Sequence, residues 1–204
     1  MTSENKSEDA INQKIIQEKR RKINEEFNIL RDLAGNLRGE LEFLRDSFKK
    51  SYNRYKEKLK TYKDDLKKEH EKSNKKQSFS YSGKDKRLFK NITRLMYFSR
   101  GFVKVYDNWD FEAVFHTPDN FFKFFFFEWE LRKARDYDLL KECLRAISRL
   151  NDNLPHDWKV NKDIIDSINR VRGQYLPTLN RKIIEFRNIR EEIRKVQKGL
   201  KKNE

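Results

Sequence analysis

Apolar residues in the first third of the chain recur at alternating steps of four and three, a spacing typical of a coiled-coil seam. After Phe48 an additional step of four, to Tyr52, shifts the pattern as a stutter does. The pattern predicts one long helix over residues 9–72, preceded by disordered residues 1–8. Its apolar positions are Ile16, Ile23, Phe27, Leu30, Ala34, Leu37, Leu41, Leu44 and Phe48, then Tyr55, Leu59, Tyr62 and Leu66.

Two glycines, Gly35 and Gly39, lie in the middle of this predicted helix. Each costs about 1 kcal/mol relative to alanine inside a helix, and Gly35-Asn36 could form a C-terminal cap. The heptad phase continues across both glycines, so an uninterrupted helix is favoured and a break there is the alternative. Their four-residue spacing would also permit the close approach of another helix.

A polar stretch follows, and residues 73–85 are predicted to form a basic loop. Beyond it, apolar residues recur at helical spacing while basic residues occupy another side, which predicts an amphipathic helix. The apolar positions are Leu88, Phe89, Ile92, Leu95, Met96, Phe102, Val103 and Tyr106, and the basic ones include Arg87, Lys90 and Arg94.

The middle of the chain is rich in aromatic residues. Thr117-Pro118-Asp119 is a favourable helix start, and the aromatic residues from Phe121 to Trp129 would cover every side of that helix. A further helix is predicted over 138–150, packing through Leu139, Leu140, Leu144 and Ile147. Residues 86–158 are therefore interpreted as a small helical head. Cys143 lies among the apolar residues of this head, as a small core side chain does.

The last helical pattern, within residues 159–200, begins at Asn161 and contains Pro177, which should kink or split it. Its apolar side makes it a plausible antiparallel partner for the first helix. The predicted fold is therefore all-α. It consists of a long antiparallel coiled-coil stalk, formed by the N- and C-terminal helices, with a small aromatic helical head between them.

Charge is abundant and uneven along the chain. The formal net charge is +15, and residues 73–108 carry nine Lys or Arg against two Asp. Such an excess predicts attraction to polyanions: nucleic acid, an anionic membrane surface or an acidic partner. One cysteine in 204 residues excludes an internal disulfide, and no stretch approaches the ~20 apolar residues that span a bilayer. A cytoplasmic location and no membrane span are expected.

The candidate nucleic-acid site lies where the first helix ends and the next begins. Cations that neutralise phosphates alternate there with aromatic rings that can stack on bases, as single-stranded nucleic acid requires. The alternative is a solvated loop followed by the wet side of a helix. The candidate residues are Lys72, Lys75, Lys76, Phe79, Tyr81, Lys84, Lys86, Arg87, Lys90 and Arg94.

Catalytic chemistry has little support in the sequence. Neither GxGxxG nor a P-loop occurs, and the three histidines lie far apart, so no cofactor and no metal are expected. Six residues separate Arg149 from His156, and this spacing resembles the Arg-x(4 to 6)-His signature of HEPN ribonucleases. In that family both residues lie in the RNA-cleaving centre, usually formed across a dimer. The alternative is a solvated Arg at a helix end and a loop His, because Pro155 lies between them.

These observations favour a non-enzymatic, basic helical accessory or scaffold subunit of a nucleoprotein assembly, with RNA preferred over DNA. Its coiled-coil seam would bind a larger protein partner or a second copy. One alternative is a coiled-coil adaptor or homo-oligomer that binds protein alone. The other is a HEPN-like ribonuclease.

Overall fold

The computed structural model describes residues 3–73, 78–108 and 135–200, and every regular element in these ranges is helical. The predicted all-α class is confirmed. The Phe-rich helix predicted after Thr117 lies outside the described residues. The elements are α1 (Ser3–Lys72), α2 (Gly83–Asn108), α3 (Arg135–Asp152), a 3₁₀ turn (His156–Trp158), α4 (Lys162–Arg170), a π turn (Val171–Tyr175) and α5 (Leu176–Leu200).

Helix α1 is the longest helix of the described residues, and α2, α4 and α5 all pack against it. Its 70 residues correspond to about 105 Å at 1.5 Å per residue. The helix begins at Ser3, earlier than the predicted start, and it continues through Gly35 and Gly39 as favoured. A Cβ atom at either glycine would meet no heavy atom within 4 Å. Among the described residues, therefore, no other helix closely approaches either glycine.

Helix α2 folds back antiparallel to the C-terminal half of α1. Near its start, the Tyr62 hydroxyl donates to Asp85 Oδ1 at 3.0 Å. Near its end, Arg45 Nε donates to Asp107 Oδ1 at 2.5 Å. Between these contacts, the rings of Phe48 and Phe102 meet edge to face with centroids 5.1 Å apart. Residues early in α2 thus lie beside residues late in α1.

A side-chain cap starts α2 within the range predicted as a loop. Ser82 Oγ accepts a hydrogen bond from the Asp85 backbone N–H at 3.1 Å and donates one to Asp85 Oδ2 at 2.5 Å. This pairing resembles a capping box, with Asp in the position that Glu or Gln more often holds. It places Lys84 and Asp85 in the first turn of α2.

The C-terminal helices run antiparallel to the N-terminal half of α1. Arg170 Nε bonds Glu40 Oε1 at 2.6 Å, and Lys182 Nζ bonds Glu26 Oε2 at 2.8 Å. Farther along, Lys19 pairs with Glu192. Rising residue numbers in α1 therefore meet falling numbers in α4 and α5. These pairs establish the antiparallel direction, while the coiled-coil stalk stays a prediction.

The π turn lies directly before Pro177. The Leu176 N–H bonds the Val171 carbonyl, five residues back, where an α-helix would bond four back. Proline has no N–H and its ring crowds the carbonyl four residues earlier, here that of Gly173. The wider π turn accommodates the proline, and the chain stays helical from Lys162 to Leu200.

Helix α3 packs against α2 and also contacts α4. Leu140, Leu144 and Ile147 are buried as predicted, but Leu139 is 38% exposed. The prediction for Leu139 is wrong because residues 140, 144 and 147 define one side of the helix, and Leu139 lies beside it. Cys143 is buried in its place, with Sγ 3.5 Å from where a Cβ on Gly101 would stand.

Candidate nucleic-acid interface

The solvent side of α2 carries a continuous row of cations. Lys86, Arg87, Lys90 and Arg94 were predicted, and the structure extends the row with Arg100 and Lys104; all six are exposed. Tyr97 lies in the middle of the row and is 72% exposed. We call this surface the α2 basic face: Lys86, Arg87, Lys90, Arg94, Tyr97, Arg100 and Lys104.

Helical spacing explains why these side chains share one side. Lys86, Lys90, Arg94, Tyr97, Arg100 and Lys104 follow each other at steps of three or four, so they lie one above another along the helix. The 18-residue interval corresponds to about 27 Å. The buried residues of α2 lie on the opposite side; they are Ile92, Leu95, Ser99, Phe102 and Tyr106.

Both carboxylates of α2 are engaged toward α1. Hydrogen bonds from Ser82 and then Tyr62 hold the pKa of Asp85 below its usual value. Burial tends to raise the pKa of Asp107, but hydrogen bonds from Lys49 and Arg45 outweigh it and lower that pKa. Both groups therefore stay ionised and bonded to residues of α1, Asp85 half-buried and Asp107 still exposed.

The cations of the α2 basic face have no such partners. Within residues 3–73, 78–108 and 135–200, none of the six forms an ion pair with a carboxylate. Their charge is consequently directed to solvent. A polyanion that lies along α2 would gain six attractions without displacing an ion pair between described residues.

The predicted aromatic residues of the loop occupy a different place. The ring centroids of Phe79 and Tyr81 are 4.8 Å apart, and those of Tyr81 and Phe89 are 4.9 Å apart, both edge to face. The series continues through Tyr62 to the buried Trp158. Phe79 and Tyr81 are half-buried in this packing, which ties the loop to α1 and α2.

Two of the remaining predicted residues, Lys72 and Lys84, lie within the described residues. Lys72 is exposed at the end of α1, and Lys84 is exposed in the first turn of α2. Lys75 and Lys76 lie outside the described residues. Tyr97 was missed by sequence reasoning, although its position three residues after Arg94 places it on the same side.

The residues of the HEPN-like spacing are not held together in a cleft. Arg149 lies in the last turn of α3, and His156 follows Pro155 in the 3₁₀ turn. The His156 side chain is 99% exposed, and its contact with Asp157 at 3.8 Å is a surface pair. Among the described residues, no group of three His, Cys, Asp or Glu side chains is placed to hold a metal ion.

Comparison with known protein families, with curated proteins and with solved structures found no match to this chain. The part of the chain that the structure describes contains no helix with the length and apolarity needed to cross a membrane.

Proposed function

We propose that this protein is a non-enzymatic, basic helical accessory or scaffold subunit of an RNA-containing nucleoprotein assembly, and that the α2 basic face binds the RNA. The observation that carries the proposal is the charge on α2: six exposed cations have no carboxylate partners in the described residues, while the two carboxylates of the same helix are each bonded to α1. Such a row attracts successive phosphates of a nucleic-acid backbone, and this electrostatic attraction is the main source of affinity for nucleic acid.

Tyr97 favours a single strand over a duplex. Its ring is 72% exposed, and Arg94 and Arg100 each lie three residues away, about one helical turn. Single-strand sites combine cations that follow the backbone with aromatic rings on which bases stack. In a duplex the base faces are covered by stacking, so the ring of Tyr97 would have nothing to contact.

Filter binding of a 5′-hydroxyl single-stranded RNA across a salt series tests the proposal. If all six cations neutralise phosphates, the slope of log K against log salt reaches about −4, at roughly −0.7 for each phosphate. Replacing Lys86→Gln and Lys90→Gln together should make this slope shallower by about 1.4. Tyr97→Ala should weaken binding roughly fivefold or more, and Tyr97→Phe should keep it.

A matched control separates this surface from net charge. Lys56 and Lys60 on α1 have the same four-residue spacing, are exposed, and form no ion pair in the described residues. The double change Lys56→Gln, Lys60→Gln should leave binding almost unchanged. Equal weakening by both pairs, or affinity that is absent at low salt or insensitive to salt, would refute the proposal. DNA of the same sequence binding as tightly would remove the preference for RNA.

A protein-binding adaptor is the second candidate, but its surface differs from the seam proposed above. The seam of α1 is filled by the chain's own α2 and α5. Four large apolar residues of α1 are exposed among the described residues: Ile11, and then Ile15, Ile29 and Phe43 at 14-residue spacing. Light scattering would test whether they associate; a concentration-independent monomer, unchanged by Phe43→Glu, would argue against homo-oligomers through this side.

A further inference from the structure

Two open grooves flank the π turn, and they carry opposite charge. One, of about 540 Å³, is lined by Glu40, Asp163 and Asp166 with Arg170 as its one lining cation among the described residues. The other, of about 580 Å³, is lined by two amides and three cations, of which Lys141 pairs with Asp138, and no described carboxylate lines it. Charge is thus sorted between the two grooves rather than spread evenly around the helix.

The second groove is built from several elements. Lys141 and Arg145 come from α3, Asn169 from α4, and Arg172 from the π turn. Asn180 of α5 completes its polar lining, while Leu176 and Pro177 supply an apolar wall. We call this groove the π-turn pocket. Its residues are far apart in sequence, so the pocket exists only because α3 packs beside the junction of α4 and α5.

The lining has the chemistry of a phosphate site. Arginine presents a planar set of donors that matches phosphate oxygens two at a time, and amide side chains can add further donors. Arg145 and Arg172 form no ion pair with the carboxylates that the structure describes. Their donors are therefore available to an anion. A ring or sugar could lie against Leu176 and Pro177.

The size of the groove limits the ligand. Small-molecule sites commonly measure roughly 300–1,000 Å³, and about 580 Å³ lies within that range. Short π-helical segments also occur often at functional sites, because they widen one turn and redirect its side chains. Here the turn carries Arg172 and Gly173 into the wall of the pocket.

We propose that the π-turn pocket binds the terminal phosphate of a nucleotide-sized ligand. Two ligands share this chemistry: a free nucleoside monophosphate and the 5′-phosphorylated end of a strand. The proposal does not depend on the α2 basic face, because the pocket is formed by α3, α4, the π turn and α5. Either site can therefore be present when the other is not.

Titration calorimetry on the full chain tests the proposal with AMP, adenosine, and a tetranucleotide carrying either a 5′-phosphate or a 5′-hydroxyl. Binding of AMP but not adenosine supports a free nucleotide as the ligand. Preference for the 5′-phosphorylated tetranucleotide without AMP binding supports a strand end. If phosphate improves neither ligand, the proposal is overturned, while the binding of 5′-hydroxyl RNA to α2 remains testable by itself.

Variants locate the binding. Arg145→Gln with Arg172→Gln should weaken phosphate-dependent binding roughly tenfold or more, since hydrogen bonds to charged groups are the strong ones. The control, Arg149→Gln with Arg194→Gln, removes the same charge from exposed positions of α3 and α5 and should change little. Equal losses in the two pairs would overturn the proposal.

A second variant keeps every charge and fills the space. Gly173 lines the groove, and a Cβ there would meet no described heavy atom within 4 Å, so the backbone of Gly173 can carry a side chain directed at this space. Gly173→Leu should keep the helical circular dichroism and thermal midpoint of the parent while losing phosphate-dependent binding. A folded Gly173→Leu protein that binds as the parent does would contradict a site inside the pocket.

Discussion

Replacing Gly35 and Gly39 by alanine should stabilise the protein, because both glycines lie inside a continuous helix. Glycine is less favourable than alanine by about 0.8–1.0 kcal/mol in a helix interior. The added Cβ atoms would meet no heavy atom within 4 Å, so no packing cost offsets the gain. The double variant should therefore raise the free energy of unfolding by about 2 kcal/mol.

Urea denaturation followed by circular dichroism measures this change. With a slope of about 2–3 kcal/mol/M, the midpoint should rise by roughly 0.7–1 M. In a chain of this size the thermal midpoint should rise by roughly 4–8 °C. Gly83→Ala is the matched control: its Cβ also meets nothing within 4 Å, but Gly83 is the first residue of α2, and the interior penalty does not apply.

The sign of the change in unfolding free energy shows whether α1 is helical through both glycines. A double variant that is more stable than the parent, with an unchanged stability of the Gly83→Ala control, agrees with an uninterrupted α1. Destabilisation by Gly35→Ala or Gly39→Ala would refute it, because an alanine is unfavourable only where the backbone leaves the helical region or another segment approaches closely.

Three further predictions concern buried side chains. The Tyr55 hydroxyl donates to the Trp158 carbonyl at 3.1 Å, and burial raises the pKa of Tyr55 to about 12. The stability that the protonated Tyr55 hydroxyl contributes is therefore intact below pH 10 and is lost as the pH rises toward 12. Tyr55→Phe should cost about 1 kcal/mol at pH 7 and lessen the alkaline loss in urea titrations; an unchanged alkaline limb would contradict this. Burial also raises the pKa of Cys143 to about 11, so a thiol reagent should react slowly until urea unfolds the chain, and rapid reaction of the folded protein would be inconsistent with its placement. Ile147→Ala, at a fully buried site, should cost about 2–5 kcal/mol, whereas Leu139→Ala should cost about 1 kcal/mol or less; comparable costs would mean that the side of α3 is wrongly assigned.

The heptad pattern predicted which side of α1 is buried, but not what covers it. Leu30, Leu37 and Leu44 are at most 1% exposed, as their seven-residue spacing requires. The covering helix changes along α1: Glu40 bonds α4, whereas Arg45 bonds α2. The stutter after Phe48 lies close to this exchange. A local pattern records that the buried side rotates there, while the identity of the partner depends on distant residues.

The candidate nucleic-acid residues likewise divide into those that local spacing identifies and those whose surroundings depend on distant contacts. Lys86, Lys90 and Arg94 were found because density of charge and helical spacing are local properties. Phe79 and Tyr81 were placed in the site by composition alone, yet their surroundings depend on Tyr62 and Phe89. Composition shows that aromatic rings stand near cations, but not whether the rings are half-buried in packing or exposed.

The π-turn pocket could not be predicted from the sequence. Arg145 and Arg172 are 27 residues apart, and no motif joins them. Pro177 was expected to kink or split the last helix, and its actual effect is a π turn that changes which side chains face α3. The pocket follows from that local change together with the packing of α3, which contacts both α2 and α4.

Folding pairs both carboxylates of α2 with residues of α1 and leaves the cations of the α2 basic face without carboxylate partners in the described residues. In the unfolded chain Asp85 and Asp107 would accompany the cations of the same segment, but in the structure each carboxylate is bonded to a residue of α1. Net charge alone predicts that any two exposed lysines contribute equally to polyanion binding. The structure predicts that position matters, because attractions to phosphate add up only where cations lie side by side without carboxylates between them. For this reason the comparison of the Lys86, Lys90 pair with the Lys56, Lys60 pair distinguishes a binding surface from general basicity.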